Sequence, residues 1–150
     1  MSSTGPASVL TVVVVDDDPD YRSLVRALLS TLADVVSVVG EADDGEEGLA
    51  VVRRTRPDVV ITDLMMPRMN GMALAVRVRE DLPQTKIIMM SSHIEDAYRM
   101  RVSDSPVDVF INKHVINSAL LPAIREVVSR RQGGEGRRSN GGTSSAAPPK

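Results

Sequence analysis

Three carboxylates stand side by side in the stretch VVVVDDDPD, where Asp16, Asp17 and Asp18 follow a run of four valines. Other polar groups close apolar runs in the same way. Asp63 ends DVVITD, Ser91 ends KIIMMS, and Lys113 follows VDVFIN. Adjacent carboxylates repel one another unless a positive charge sits among them. An oxygen-only donor set suits a hard cation such as Mg²⁺. The chain has no cysteine and no histidine pair to favour a softer metal. A lysine and a hydroxyl opposite that cation suit an anion, and a phosphoryl group is the natural one. The metal and the lysine would neutralise its oxygens while a carboxylate acts as in-line nucleophile.

For these residues to meet, the chain must carry them to one place. Five short runs, LTVVVV, VVSVVGEA, DVVITD, KIIMMS and VDVFIN, are apolar throughout rather than alternating, as expected of strands covered on both faces. Amphipathic stretches lie between them. Asp18-Pro19 is a helix entry, a capping Asp followed by Pro at the first helical position, and Leu24, Leu28 and Leu32 recur every four residues beyond it. A second helix follows Asp43-Asp44-Gly45 and ends before Pro57, and a third runs from Gly71 to Leu82 before Pro83. A fourth is expected over Glu95 to Val102. A fifth follows Asn117, with Leu120, Ile124, Val127 and Val128 at helical spacing and Pro122 near its first turn.

Strand and helix alternate five times. The expected fold is an α/β, doubly wound, five-stranded parallel sheet of order 2-1-3-4-5, flavodoxin-like, with helices on both faces. Ligands of such sheets bind beyond the carboxyl ends of the strands, where the order reverses. Here that crevice lies between strands 1 and 3. Asp16, Asp17, Asp63, Ser91 and Lys113 all fall on its edge. Singly, each has a plainer reading: Asp18 as a helix cap, Asp16 or Asp17 as a loop carboxylate, Asp63 as a turn cap, Ser91 as a strand-end hydroxyl, Lys113 as a surface lysine. Their joint placement is what points to a site.

At 150 residues the chain fits one domain with a core. Aromatics are only 2%, so that core must be built from Val, Leu, Ile, Met and Ala. The start, MSSTGPAS, lacks the pattern of a signal peptide, and no apolar run reaches the ~18 residues of a membrane span. A cytoplasmic protein is expected. Net charge is -2, but Arg130, Arg131, Arg137, Arg138 and Lys150 crowd the end against Glu135 alone. The expected division is a flexible 1–9, a folded 10–131 and a disordered basic Gly/Ser/Pro-rich tail over 132–150. A solubilising role suits this tail better than nucleic-acid contact.

The stretch from Leu10 to Arg130 resembles the receiver domain of bacterial two-component response regulators. VVDDDP, DLMMPRMNG, IIMMSS and FINK carry the resemblance, and VVGEADDGEEGL is similar to the LuxR-like subfamily. The resemblance implies that a sensor histidine kinase or histidine phosphotransfer protein donates a phosphoryl group to Asp63 in a Mg²⁺-dependent step. It implies that Asp17, Asp63 and the Met65 backbone carbonyl hold the metal, with Asp16 acting through water. Lys113 would pair with the phosphoryl oxygen, Ser91 would move toward it, and Phe110 would turn inward as the switch aromatic. Met65 and His93 stand at the positions that flank the path of the hydrolytic water. Such a domain phosphorylates itself and slowly dephosphorylates, but acts as a switch rather than an enzyme.

The chain departs from the pattern in three places. Ser91 stands for the commoner Thr, His114 follows Lys113 where a proline is frequent, and Ser105-Pro106-Val107 replaces a frequent Gly-Ala pair. Nothing after Arg131 has the pattern of a helix-turn-helix, so output through an unknown downstream protein target, rather than a fused DNA-binding domain, is expected. Two other classes are weaker. A haloacid-dehalogenase-type phosphatase would use the Asp16-x-Asp18 spacing, but Asp20 stands where it needs Thr or Val. A phosphate-independent interaction module would have no use for the intact acidic pair, Asp63 and Lys113. No nucleotide-binding glycine motif occurs.

Overall fold

The computed structural model describes residues 9–93 and 105–129. Five parallel strands, β1 (Leu10–Val15), β2 (Val36–Ala42), β3 (Val59–Asp63), β4 (Lys86–Ser91) and β5 (Val109–Asn112), form one sheet in the order 2-1-3-4-5. Helices α1 (Pro19–Ser30), α2 (Gly45–Thr55) and α3 (Gly71–Asp81) connect the first four strands. A 3-10 turn over Lys113–Val115 leads directly into a last helix, residues 116–129. The helix expected over Glu95 to Val102 lies outside the described residues.

Strand alternation sorts the valines into two cores. Val12 and Val14 of β1 pack with Val25 and Leu29 of α1 and with Ile116, Leu120, Ile124 and Val127 of the last helix. Val13 and Val15 point the other way, onto Leu49 and Val52 of α2 and Leu74 and Val78 of α3. Because β1 and β3 are covered on both sides, all of β3 and all of β1 but Thr11 are buried. The edge strand β2 departs from that expectation, since Ser37 and Val39 are exposed. Its pairing with β1 also slips, from Val12–Val38 to Val13–Gly40, which leaves Val39 as an extra residue turned outward.

The stripe that seats α1 also differs from the Leu24, Leu28, Leu32 repeat. The buried residues are Val25 and Leu29, while Leu24 is exposed and Leu28 and Leu32 are half-buried. A strict four-residue step drifts around a helix of 3.6 residues per turn, so the seat runs diagonally through Tyr21, Val25, Leu28, Leu29 and Leu32. The last helix begins earlier than its pattern suggested. Asn112 accepts a hydrogen bond from the His114 N–H (2.9 Å), and the turn this caps lets the helix start at residue 116. Pro122 therefore sits inside the helix, on its exposed face, where it forgoes one backbone hydrogen bond and crowds the carbonyl four residues earlier. The other boundaries follow the sequence. Asp18 caps α1 by accepting from the Asp20 and Tyr21 N–H groups (2.9 and 3.4 Å), and Asp44 caps α2 by accepting from Glu47 N–H (2.8 Å).

Candidate functional site

The carboxyl ends of β1, β3, β4 and β5 deliver the polar residues to one rim. Asp16 is completely buried just past β1, and Asp63 is buried at the end of β3. Asp17 points to solvent. Carboxylate oxygens of Asp16, Asp17 and Asp63 all lie within 4.8 Å of one another. Lys113, entering from the turn after β5, places Nζ 2.8 Å from Asp16 Oδ2 and 3.3 Å from Asp63 Oδ2. One cation thus faces three carboxylates, and excess negative charge remains. Burial, followed by the Asp16 charge, raises the Asp63 carboxyl above its ordinary range; Lys113 and the Met65 backbone N–H pull the other way.

The donor set fits Mg²⁺. It is oxygen-only, it carries more negative charge than Lys113 neutralises, and the buried Asp16 Oδ2, ion-paired with Lys113, accepts no hydrogen bond among the described residues. Asp18 is not part of this set. Its carboxylate is spent on the α1 cap, so Asp16 and Asp18 do not form the pair that a dehalogenase-type phosphatase requires.

Ser91 is buried at the end of β4, yet its hydroxyl does not address Asp63. It donates to the His93 carbonyl (3.1 Å) and accepts from the His93 N–H (3.0 Å). His93 itself is exposed, as is Met65, a residue 63% accessible beside the acceptor. Phe110 is half-buried and packs against the α2–α3 core, on the opposite face of β5 from Ile111.

Two tight approaches hold the loop from Leu64 to Asn70. A Cβ on Gly71 would lie 2.1 Å from the Asp63 carbonyl oxygen, and the Gly71 N–H donates to the Leu64 carbonyl (2.8 Å). A Cβ on Gly45 would lie 2.1 Å from the Met69 carbonyl oxygen. Between them Arg68 takes a left-handed φ of 69° and pairs with the buried Asp44, Nη2 to Oδ2 at 2.8 Å. The Glu47 N–H and Arg68 together hold the Asp44 carboxyl below its ordinary range.

Sequence reasoning passed over several of these residues. Arg68 and Asp44 tie the acceptor loop to α2. Arg22 donates to the Asp16 carbonyl and reaches Glu41 on β2 (3.3 Å). Tyr21 lies under Lys113, its ring centroid 4.1 Å from Nζ, and its hydroxyl donates to the Lys113 backbone carbonyl (3.2 Å). Burial, then the Asp16 and Asp63 charges, pushes the Tyr21 phenol up to about 12. A signal existed for Tyr21 alone. It is one of only two tyrosines and stands in the first turn of the helix that follows the acidic cluster.

Sheet order and pocket together define a flavodoxin-like α/β domain with an acidic site at its switch point. The family model described as the response regulator receiver domain matches residues 12–125. Response regulator protein VraR of Staphylococcus aureus is 36% identical over 115 residues, which are 77% of this chain and 54% of that protein. The chain therefore spans about half the length of the curated relatives it matches. The signal receiver domain of the response regulator NarL from Mycobacterium tuberculosis aligns with a TM-score of 0.71 at 35% identity, covering 79% of this chain and 95% of that one. The response regulator domain of Thermotoga maritima CheB aligns at 0.71 and 27% identity, covering 81% and 98%. This chain belongs to the response regulator receiver domain family, the switch domains of two-component signalling. None of its described helices is long and apolar enough to cross a membrane.

Proposed function

We propose that Asp63 accepts a phosphoryl group from the phosphohistidine of a sensor histidine kinase or a histidine phosphotransfer protein, and that residues 10–131 form the switching unit. The observation that carries this reading is the convergence of three carboxylates within 4.8 Å around the end of β3, with Lys113 Nζ 3.3 Å from Asp63. An Asp63 oxygen attacks phosphorus in line. The new O–P bond forms as the N–P bond breaks, and the electron pair stays on the departing imidazole nitrogen.

Asp17, Asp63 and the Met65 carbonyl would hold Mg²⁺ directly, and Asp16 through water. A bound Mg²⁺ supplies charge neutralisation at the phosphoryl oxygens. Lys113 takes one of those oxygens with a charge-assisted hydrogen bond. Ser91 gives up its two bonds to the His93 backbone and turns to another. The space it leaves lets Phe110 move further into the α2–α3 core, and the surface around β5 and the last helix then changes for a downstream protein partner. The exposed Met65 side chain shields the acyl phosphate from water, and His93 adjusts the same path.

Incubating the protein with a small phosphodonor and Mg²⁺ tests the reading by intact mass. One added phosphoryl group is expected, and none on Asp63→Asn. Equal labelling of that variant overturns the assignment.

A further inference from the structure

We propose that Tyr21 is a positioning residue for Lys113, its ring seating the ammonium and its hydroxyl fixing the lysine's backbone. The inference rests on the reading of Asp63 as phosphoacceptor. Lysine is a point charge on a flexible four-carbon stem, so its direction must come from its surroundings. Around Lys113 the carboxylates supply attraction at 2.8 and 3.3 Å, but they are the groups whose charge changes in the reaction. Once Asp63 becomes an acyl phosphate, its carboxylate no longer draws the ammonium. The Tyr21 contacts do not depend on that charge. The ring centroid lies 4.1 Å from Nζ, and the hydroxyl donates to the Lys113 carbonyl at 3.2 Å, bridging 92 positions of sequence.

Two features make the contact strong. The Lys113 side chain is only 12% exposed, and a cation over an aromatic face gains most when water is excluded. Tyr21 is itself oriented, because its N–H is capped by Asp18 in the first turn of α1 and its ring packs against the α1 side of the core. Burial, with the Asp16 and Asp63 charges behind it, keeps the phenol protonated, and so a donor, at any ordinary pH. Tyr21 would therefore hold the cation at the acceptor before, during and after transfer.

The test uses the full chain. Its three lysines are Lys86, Lys113 and Lys150, so the ε-methylene protons can be assigned by substitution. Those of Lys113 should resonate upfield of the other two through the ring current of Tyr21, and should stay there in Tyr21→Phe but not in Tyr21→Leu. Titration with beryllofluoride in saturating Mg²⁺ should show Tyr21→Leu weakened roughly three- to thirtyfold and Tyr21→Phe by less. Mg²⁺ affinity without beryllofluoride should not fall in either. An unshifted Lys113 signal in the parent overturns the inference, even if Tyr21→Leu does not fold. So does parent-like beryllofluoride binding by Tyr21→Leu, or a loss of Mg²⁺ affinity in equal proportion. A parent that binds no beryllofluoride at all instead refutes the phosphoacceptor reading.

Discussion

Replacing Asp63 by Asn should stabilise the metal-free protein. Asp63 is buried and shares its pocket with the fully buried Asp16. With carboxylate oxygens within 4.8 Å and an effective dielectric of 20, that pair repels by at least about 3.5 kcal/mol; the exposed Asp17 adds less. Lys113 at 3.3 Å returns about 5 kcal/mol on the same scale. Partial desolvation of the carboxylate adds a penalty of its own. Desolvation, with the Asp16 charge, outweighs the lysine, so the Asp63 charge costs the apo fold stability. The amide has nearly the same shape and no charge, so urea unfolding in chelator at neutral pH should show a gain in stability, read as a higher midpoint. Since folding raises the Asp63 carboxyl, the folded protein takes up a proton there at higher pH than the unfolded chain. The penalty is therefore complete at neutral pH and disappears as pH falls through the carboxylate range. The advantage of Asn should shrink along with it. Mg²⁺ at a hundredfold excess over its dissociation constant should stabilise the parent by about 2.7 kcal/mol, and the variant by much less. An Asp63→Asn protein no more stable than its parent in chelator, or equally stabilised by Mg²⁺, refutes the reasoning.

Three other substitutions probe separate parts of the site. Gly71→Ala drives a methyl group onto the Asp63 carbonyl, so it should cost about 1–3 kcal/mol in urea unfolding and slow phosphorylation by shifting the acceptor strand; parent-like behaviour in both would show that the loop yields freely. Met65→Asn removes an exposed apolar side chain beside the acceptor and should speed dephosphorylation, and an unchanged decay of the labelled protein argues against shielding. Ser91→Ala should leave Asp63 able to take a phosphoryl group while abolishing the phosphorylation-dependent NMR shifts of Phe110, whose survival would rule out the hydroxyl as the link.

Much of the site could be read from the chain because each residue marks the end of an element. In a parallel sheet every strand points the same way, so a polar residue that closes an apolar run lands on the carboxyl edge whatever packs around it. Asp16, Asp63, Ser91 and Lys113 were legible for that reason. So was the cap at Asp18, which acts over two or three residues. Local patterns said less about the helices. The Leu24, Leu28, Leu32 repeat is real in sequence, but the diagonal of Val25 and Leu29 is what the sheet buries. The start of the last helix depended on Asn112 capping a turn, which overrode the suggestion of Pro122.

What lies between the elements belongs to the tertiary structure. The sequence alone determined the order of strands and helices, the edge on which the charges meet and the class of ion that would suit them. These depend on periodicity, chain direction and side-chain chemistry, all of which are local. It could not determine that Ser91 faces the His93 backbone, that Arg68 reaches Asp44 across the α2–α3 layer, or that Tyr21 lies under Lys113. Those pairs are 2, 24 and 92 residues apart. The first is local, but its rotamer is chosen by the loop; Arg68 meets Asp44 because α2 and α3 pack side by side on one face of the sheet, and Tyr21 meets Lys113 because α1 and the last helix pack side by side on the other. Contacts of that kind are set by where helices come to rest, and no spacing along the chain encodes them.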